Sequence, residues 1–565
     1  MIVDARQIED GAELGADLCV IGAGAAGITL ALEFLGEGRS VILLESGGMK
    51  PDSATQSLYK GELAHGVRQS PLHTYRERRF GGSTTIWGGR CVPFDSVDFE
   101  RRPWMPESGW PLGYGDLASY YPRANLLCEA GAFAYTAAEA FPEGMRPMIE
   151  GFASRRVTTD TLERFSLPTD FGAAYGRRLA ESRDVRVLLR ANCTGIQSGA
   201  DGAAIEYVTV ATLTGRRFTV AASAFVLAVG GLETPRLLLA SRDVHMDGLG
   251  NATDLVGRFY MSHISGAVGS FRPRGGASHV HHGYERDADG VYCRRRLRLA
   301  DEAARELGVG NFTARLHHPA IADPVHRSGV LSALYLSRRI FSYEYGKRLR
   351  AEEEAGWAVW LGHLRNIAAD PFGVAEFAFD MARRHVFARR KFPSLVVQAA
   401  TGTFSVDFHA EQQPNPESRV RLCDGRDCLG MPQLHVDWRQ TALDVHTVTA
   451  SLSAIAEELE RSGCGELVVQ PGAIEDALER DGPVGGHDIG TARMGTSRRN
   501  GVVDPDCRVH DLRNLFIAGS AVFPTSGQAN PTLTIVALAL RLADRLKRRF
   551  EPQEVGSSRV LLTSR

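Results

Sequence analysis

Asp17-Leu18-Cys19-Val20-Ile21-Gly22-Ala23-Gly24-Ala25-Ala26-Gly27-Ile28-Thr29-Leu30 is the stretch that decides the fold. Residues 17–22 are an apolar run of strand length, and 27–35 (GITLALEFL) read as a helix, so the glycines fall where a buried strand turns directly into a helix. Residues 40–45 (SVILLE) read as a second strand and complete a βαβ unit. In such a unit Gly22, Gly24 and Gly27 let the N–H groups at the helix N-terminus approach a pyrophosphate. Glu45, followed by Ser46, ends the second strand, where a carboxylate accepts hydrogen bonds from an adenosine ribose and repels a 2′-phosphate. A Rossmann-type dinucleotide site that disfavours NADP follows, and that unit would serve FAD and NAD equally.

Working outward, the chain has 565 residues, of which 44% are hydrophobic and 23% charged, enough for more than one core in an ordinary globular protein. A net charge of -2 supplies no positive field for a polyphosphate, which excludes nucleic acid as a partner. The nine cysteines are odd in number and show no Cys-x-x-Cys pair, so they read as reduced thiols and no metal site is expected. Acidic residues stand in MIVDARQIEDGAELGADL where a signal peptide would be basic, and no apolar run reaches the roughly 20 residues of a membrane span. A cytoplasmic location is expected.

Arg78-Arg79-Phe80-Gly81-Gly82-Ser83-Thr84-Thr85-Ile86-Trp87-Gly88-Gly89-Arg90 sets paired glycines around hydroxyls and an aromatic ring, which lets backbone approach a flat ligand. This segment resembles the one that glucose-methanol-choline (GMC) oxidoreductases place against the pyrophosphate and ring system of FAD. The resemblance implies FAD, held by Arg78, Gly81, Gly82, Ser83, Trp87, Gly88 and Gly89. Covalently flavinylated relatives carry a histidine just before the tryptophan; here it is Ile86, which has no nucleophilic nitrogen, so non-covalent FAD is expected. Residues 225–229, a strand, lead into Gly230-Gly231-Leu232-Glu233-Thr234-Pro235, with Pro235 expected near the start of a helix, and this run is similar to a second family signature. The segment around Cys193 resembles the family strand that meets adenine, and residues 256–263 resemble a segment leaving the flavin domain, in which His263 is expected to be structural.

The chemistry gathers near the C-terminus. Gly485-Gly486-His487-Asp488-Ile489-Gly490-Thr491 is followed by a strand at 515–518, then Gly519-Ser520, and then Ser526-Gly527-Gln528-Ala529-Asn530-Pro531-Thr532 at the head of a helix over 533–549. This is the strongest match to the GMC family, and within it the run is similar to pyranose 2-oxidase and to bacterial FAD-dependent sugar and glycoside 3-oxidases. The resemblance puts the catalytic histidine on His487 and its partner on Asn530, with Gly519, Ser520, Asn530, Pro531 and Thr532 against FAD. Elementary chemistry supports the pair: oxidising an alcohol by hydride transfer needs a base at the hydroxyl, imidazole titrates near neutrality, and a carboxamide donates to the developing alkoxide without competing as a base.

The expected fold class is α/β, a Rossmann-type FAD domain of GMC type with an inserted substrate domain of antiparallel sheet plus helices. The expected segments are FAD domain 1–105, a connecting segment 106–180, FAD domain 181–265, substrate domain 266–484, the FAD domain's catalytic end 485–550, and a flexible tail 551–565. Strands are expected over 395–408 and 433–438, and the arginine- and aromatic-rich helical run between 331 and 390 could meet a partner subunit, an oligomer neighbour or a membrane surface. Two histidine clusters, 279/281/282 and 317/318, lack an acidic partner at metal-like spacing. The substrate implied is a small-molecule alcohol, a sugar or glycoside oxidised at a secondary carbon. Sterols, aliphatic alcohols and a non-redox lyase of hydroxynitrile type are the alternatives. Oxygen, a quinone or a redox protein would each serve as electron acceptor.

Overall fold

The glycine turn joins the strand Glu13–Ile21 to the helix Ala25–Glu33 in a computed structural model that describes residues 1–319, 321–337, 356–394, 396–397 and 402–551. Glu13–Ile21 lies inside an eight-stranded sheet, between Val41–Glu45 on one side and Arg217–Leu227 on the other, parallel to both. Beyond Val41–Glu45 lie Val185–Leu189 and then Ile2–Asp4, again parallel. Arg217–Leu227 is long enough to serve two neighbours. Its first half pairs antiparallel with Ile205–Ala211, and its last three residues pair in parallel with Leu515–Ile517. The central strands are apolar on both faces, as a covered parallel sheet requires, with Leu18, Val20, Leu43, Val187 and Val226 fully buried. The helix Thr532–Phe550 packs on Ala25–Glu33 and buries Leu533, Val536, Ala537 and Leu540, the valine and leucines contributing roughly 1.5–3 kcal/mol each.

The expected βαβ unit and last helix are present, with ends moved by one or two residues except at the first strand, which begins four residues earlier, at Glu13. Pro235 departs from expectation: the helix starts at Gly230, which puts the proline inside it. A proline cannot donate to the carbonyl four residues back, that of Gly231. Thr491 fills the gap by donating its hydroxyl to the Gly231 carbonyl, and the Gly230 carbonyl accepts from Thr234 Oγ1 at 2.7 Å.

A second sheet is antiparallel throughout and runs Gly465–Val468, Ile264–Pro273, Phe404–Ala410, Phe312–His317, Leu297–Leu299, Val157–Thr158. The helix Ala442–Arg461 covers it with Val448, Leu452, Ile455 and Leu459, and is started by a capping box in which Thr441 and Asp444 exchange side chain-to-backbone hydrogen bonds. The strand expected over 395–408 is Phe404–Ala410; residues 395 and 398–401 lie outside the described residues. Of the 331–390 run, the helices Gly329–Leu336, Trp357–Ala369 and Pro371–Met381 are described, and the latter two expose Trp357, Leu361, Phe372 and Phe379. The RRIFSYEYGKRLR part (338–350) and all of the tail after Glu551 lie outside the described residues. No described helix is long and apolar enough to cross a membrane.

Candidate active site

A cavity of about 1220 Å³ runs from the glycine turn, between the two sheets, to the C-terminal segment, and exceeds the ~300–1,000 Å³ of an ordinary small-ligand cleft. Of the residues expected to hold a dinucleotide, Gly22, Gly24, Glu45, Ser46 and Arg78 line its first part. Gly82, Ser83, Trp87, Gly88 and Cys193 line its middle, and Gly519, Ser520, Asn530, Pro531 and Thr532 its far side. Three expected residues do not line it. Gly27 stands behind the turn, where a Cβ would sit 1.8 Å from the Gly22 carbonyl oxygen, so its part is to let helix and strand close up. Gly81 backs onto Asp170 and Gly172, and Gly89 onto Ser166 and Pro168.

The lining fits FAD. Around Gly24, Gly88, Gly230 and Gly519 the place a Cβ would take has no heavy atom within 4 Å, which leaves open space along the wall where a long ligand must approach backbone. Glu45 accepts from the N–H groups of Ala23 at 2.9 Å and Gly47 at 2.8 Å, fixing the turn while its carboxylate stays on the cavity wall. Arg78 is held by Glu233 at 2.5 Å. Against the cost of burial, Arg78, Arg236 and Arg76 hold the Glu233 carboxyl at about 2.

His487 and Asn530 meet: Asn530 Nδ2 lies 3.2 Å from His487 Nε2. Asn530 Oδ1 is buried and, among the described residues, without a hydrogen-bond partner. Two elements bring the pair together. Residues 483–489 bridge to 261–264 (Met261 with Ile489, Ile264 with Pro483), and Asn530 closes the loop that ends in the helix Thr532–Phe550. That loop is gripped from below, because Thr525 Oγ1 donates to the Asp98 carbonyl at 2.8 Å and Gln528 accepts from Arg296 at 2.9 Å.

The bridge carries a residue that sequence reasoning left as structural. His263 Nδ1 lies 2.9 Å from His487 Nδ1, and His263 Nε2 lies 3.1 Å from the Ser526 carbonyl. His409, from Phe404–Ala410, packs on His263 with ring centroids 4.5 Å apart and has Nδ1 2.7 Å from the Gln528 carbonyl. Burial first, and then the Arg90 charge, lower His487 to about 3. Burial and the neighbouring imidazole put His263 and His409 well below the usual range. All three are therefore neutral at neutral pH.

No metal site was expected, yet these three imidazoles place ligand atoms within 4.8 Å of one another. The hydrogen bonds just described already engage both nitrogens of His263, both of His487 and Nδ1 of His409. Of the other histidines, His279 and His281 do have an acidic neighbour, Glu150 at 3.7 and 3.0 Å, supplied from a distant loop.

Beyond the histidines the wall is charged. Arg90 pairs with Glu163 at 2.6 Å, Glu163 lies 3.7 Å from Arg315, and Arg315 lies 3.3 Å from Asp407. None of these drew notice in the sequence, because each stands alone on a short strand and the row exists only once four strands are assembled.

The cavity thus runs from the glycine turn to a neutral imidazole and a carboxamide. Residues 414–539, which hold His487 and Asn530, match the family model described as GMC oxidoreductase. Over this C-terminal part the chain is similar to the GMC oxidoreductases. It is 24% identical to 2-methyl-1,2-propanediol dehydrogenase of Mycolicibacterium austroafricanum, over 94% of this chain and 95% of that one. It is 38% identical to C-glycoside 3-oxidase of Arthrobacter globiformis over 21% of this chain and 22% of that one. Its fold is similar to that of an FAD-dependent oxidoreductase from Chaetomium thermophilum, with a TM-score of 0.53 and 14% identity over 94% of this chain and 99% of that one.

Proposed function

We propose that this enzyme oxidises a secondary ring alcohol of a sugar or glycoside to a ketone, with His487 as general base, Asn530 as donor to the alcohol oxygen, and FAD held without a covalent bond. The observation that carries the reading is the charged wall facing the histidines: Arg90, Arg315 and Asp407 line the same cavity as His487. A polyol can meet such groups with hydroxyls on several sides. A sterol or an aliphatic chain would strip them of water and return nothing, at a cost of roughly 2–7 kcal/mol for each uncompensated polar group. The similarity to a glycoside oxidase supports the same choice, and the relative named for a 1,2-diol also acts on an alcohol with a hydroxyl beside it.

His487 Nε2 takes the hydroxyl proton, and the Asn530 amide steadies the oxygen as charge develops. The hydrogen on the same carbon leaves with its electron pair, for which bound FAD supplies the acceptor. Ile86 on the cavity wall offers no atom that could bond to the ring, which supports non-covalent binding.

Anaerobic mixing of the flavin-loaded enzyme with sugars, glycosides, sterols and simple alcohols tests the proposal. Sugars or glycosides bleach the flavin absorbance, and His487→Ala slows the bleaching by about 10²- to 10⁴-fold. Bleaching by sterols or aliphatic alcohols alone would overturn the substrate class. No bleaching by any alcohol would favour the lyase alternative.

A further inference from the structure

We infer that His263 is a positioning residue: it sets the tautomer of His487, so that the nitrogen facing Asn530 and the cavity is the one without a proton. The inference rests on the proposed role of His487 as base, but its geometry is independent of substrate. A backbone carbonyl can only accept, so the Ser526 carbonyl 3.1 Å from His263 Nε2 requires the proton on that nitrogen. His263 is fully buried and neutral, so its other nitrogen, Nδ1, then bears a lone pair. Two lone pairs cannot face each other at 2.9 Å, so the proton between the rings belongs to His487 Nδ1. His487 Nε2 is thereby left as the acceptor, 3.2 Å from Asn530 Nδ2, whose N–H donates to it.

The Ser526 carbonyl thus dictates, through two rings, which nitrogen of the base is free. A carboxylate in the place of His263 would fix the same tautomer but would also attract a proton to His487. A neutral imidazole orders the ring without adding charge. The groups facing the pair agree with this arrangement. His409 is fixed by the Gln528 carbonyl as a neutral ring with its proton on Nδ1, and Arg90 is a cation that disfavours a second proton on either ring. Asp488, next in the chain, turns away and accepts from Tyr260 at 2.9 Å. Tyr75 packs on Gly485 and Gly486.

The first test is nitrogen-15 NMR of histidine-labelled enzyme with and without FAD, the His487 signals being assigned by their loss in His487→Asn. The expected result is a protonated Nδ1 and an unprotonated Nε2 for His487 at neutral pH. The opposite tautomer, or a tightly bound equivalent of metal that strips from the protein together with the His263–His487 coupling, would overturn the inference. Kinetics give the second test. His263→Leu removes the acceptor and should lower the rate of flavin reduction at saturating substrate by about 100-fold, with KM within a few-fold of the parent, since a base held in the wrong tautomer is disabled while substrate contacts remain. His263→Asn, whose Oδ1 can accept near the place of Nδ1, should recover at least about tenfold of that loss. Equal rates for the Leu and Asn variants, both flavin-loaded, would show that His263 only fills space. If instead His487→Asn reduces flavin as fast as the parent enzyme, the role of His487 as base fails, whereas the NMR result for the tautomer stands by itself.

Discussion

At the residue scale, the role proposed for His487 as base is served by its being kept neutral. Its proton affinity falls to about 3, through burial and then through Arg90. A general base acts in its neutral form, which is populated above the folded pKa. Lowering that pKa below the ordinary 6.5 therefore extends activity to the acid side. The pH profile of kcat/KM should show no acid limb near 6.5, and Arg90→Gln should move the limb upward; a limb at 6.5 in the parent enzyme would contradict the burial of the ring. His487 and Asn530 were legible because each sits in a local run of unusual composition. His263 and His409 were not, since what makes them special is a ring 2.9 or 4.5 Å away that belongs to a remote segment. A lone histidine on a strand carries no sign of its neighbour.

At the element scale, the helix Gly230–Ala240 and the catalytic segment are locked to each other. The Gly231 carbonyl, freed by Pro235, is claimed by Thr491, while a Cβ on Gly231 would stand 2.1 Å from the Asp488 carbonyl oxygen. Gly231→Ala should therefore push His487 off its position and destabilise the protein by roughly 1–3 kcal/mol, the usual cost of overpacking. Thermal melts and flavin retention would report it, and an unchanged melt with full activity would refute the contact. Gly231 was legible only as part of a family-like run. The reason for it was hidden, because the clashing carbonyl lies far along the chain. Pro235 misled for a related cause: proline usually marks a helix start, and here a hydroxyl from elsewhere makes good the missing hydrogen bond.

At the scale of the whole molecule, buried neutral histidines link stability to pH. His487 and His282 are both lowered to about 3, and His263 and His409 shift the same way. Below pH 6.5 the unfolded chain binds protons that the folded chain refuses, so stability falls as pH drops from 6.5 toward 3, by about 1.4 kcal/mol per pH unit for each such ring. Above 6.5 these rings contribute no pH dependence. The melting temperature should decline between pH 6.5 and 5 and decline less in His282→Phe; a flat profile would mean that the rings are solvated. The parallel sheet was legible from apolar runs and glycine spacing. The order of the antiparallel sheet was not, since strands from five separate stretches meet there and only tertiary packing sets their register.

The double allegiance of Arg217–Leu227 has a consequence for synthesis. As the chain leaves the ribosome, Phe225–Leu227 present a sheet edge that Leu515–Ile517 closes. The parallel sheet stays open on this side while residues 228–514 are translated, a vulnerable interval in which shielding by a chaperone would matter most. The closing segment is flanked by His487 and Asn530. Sheet closure and the meeting of His487 with Asn530 thus fall together late in the chain, and a prematurely stopped chain is left with its sheet edge open.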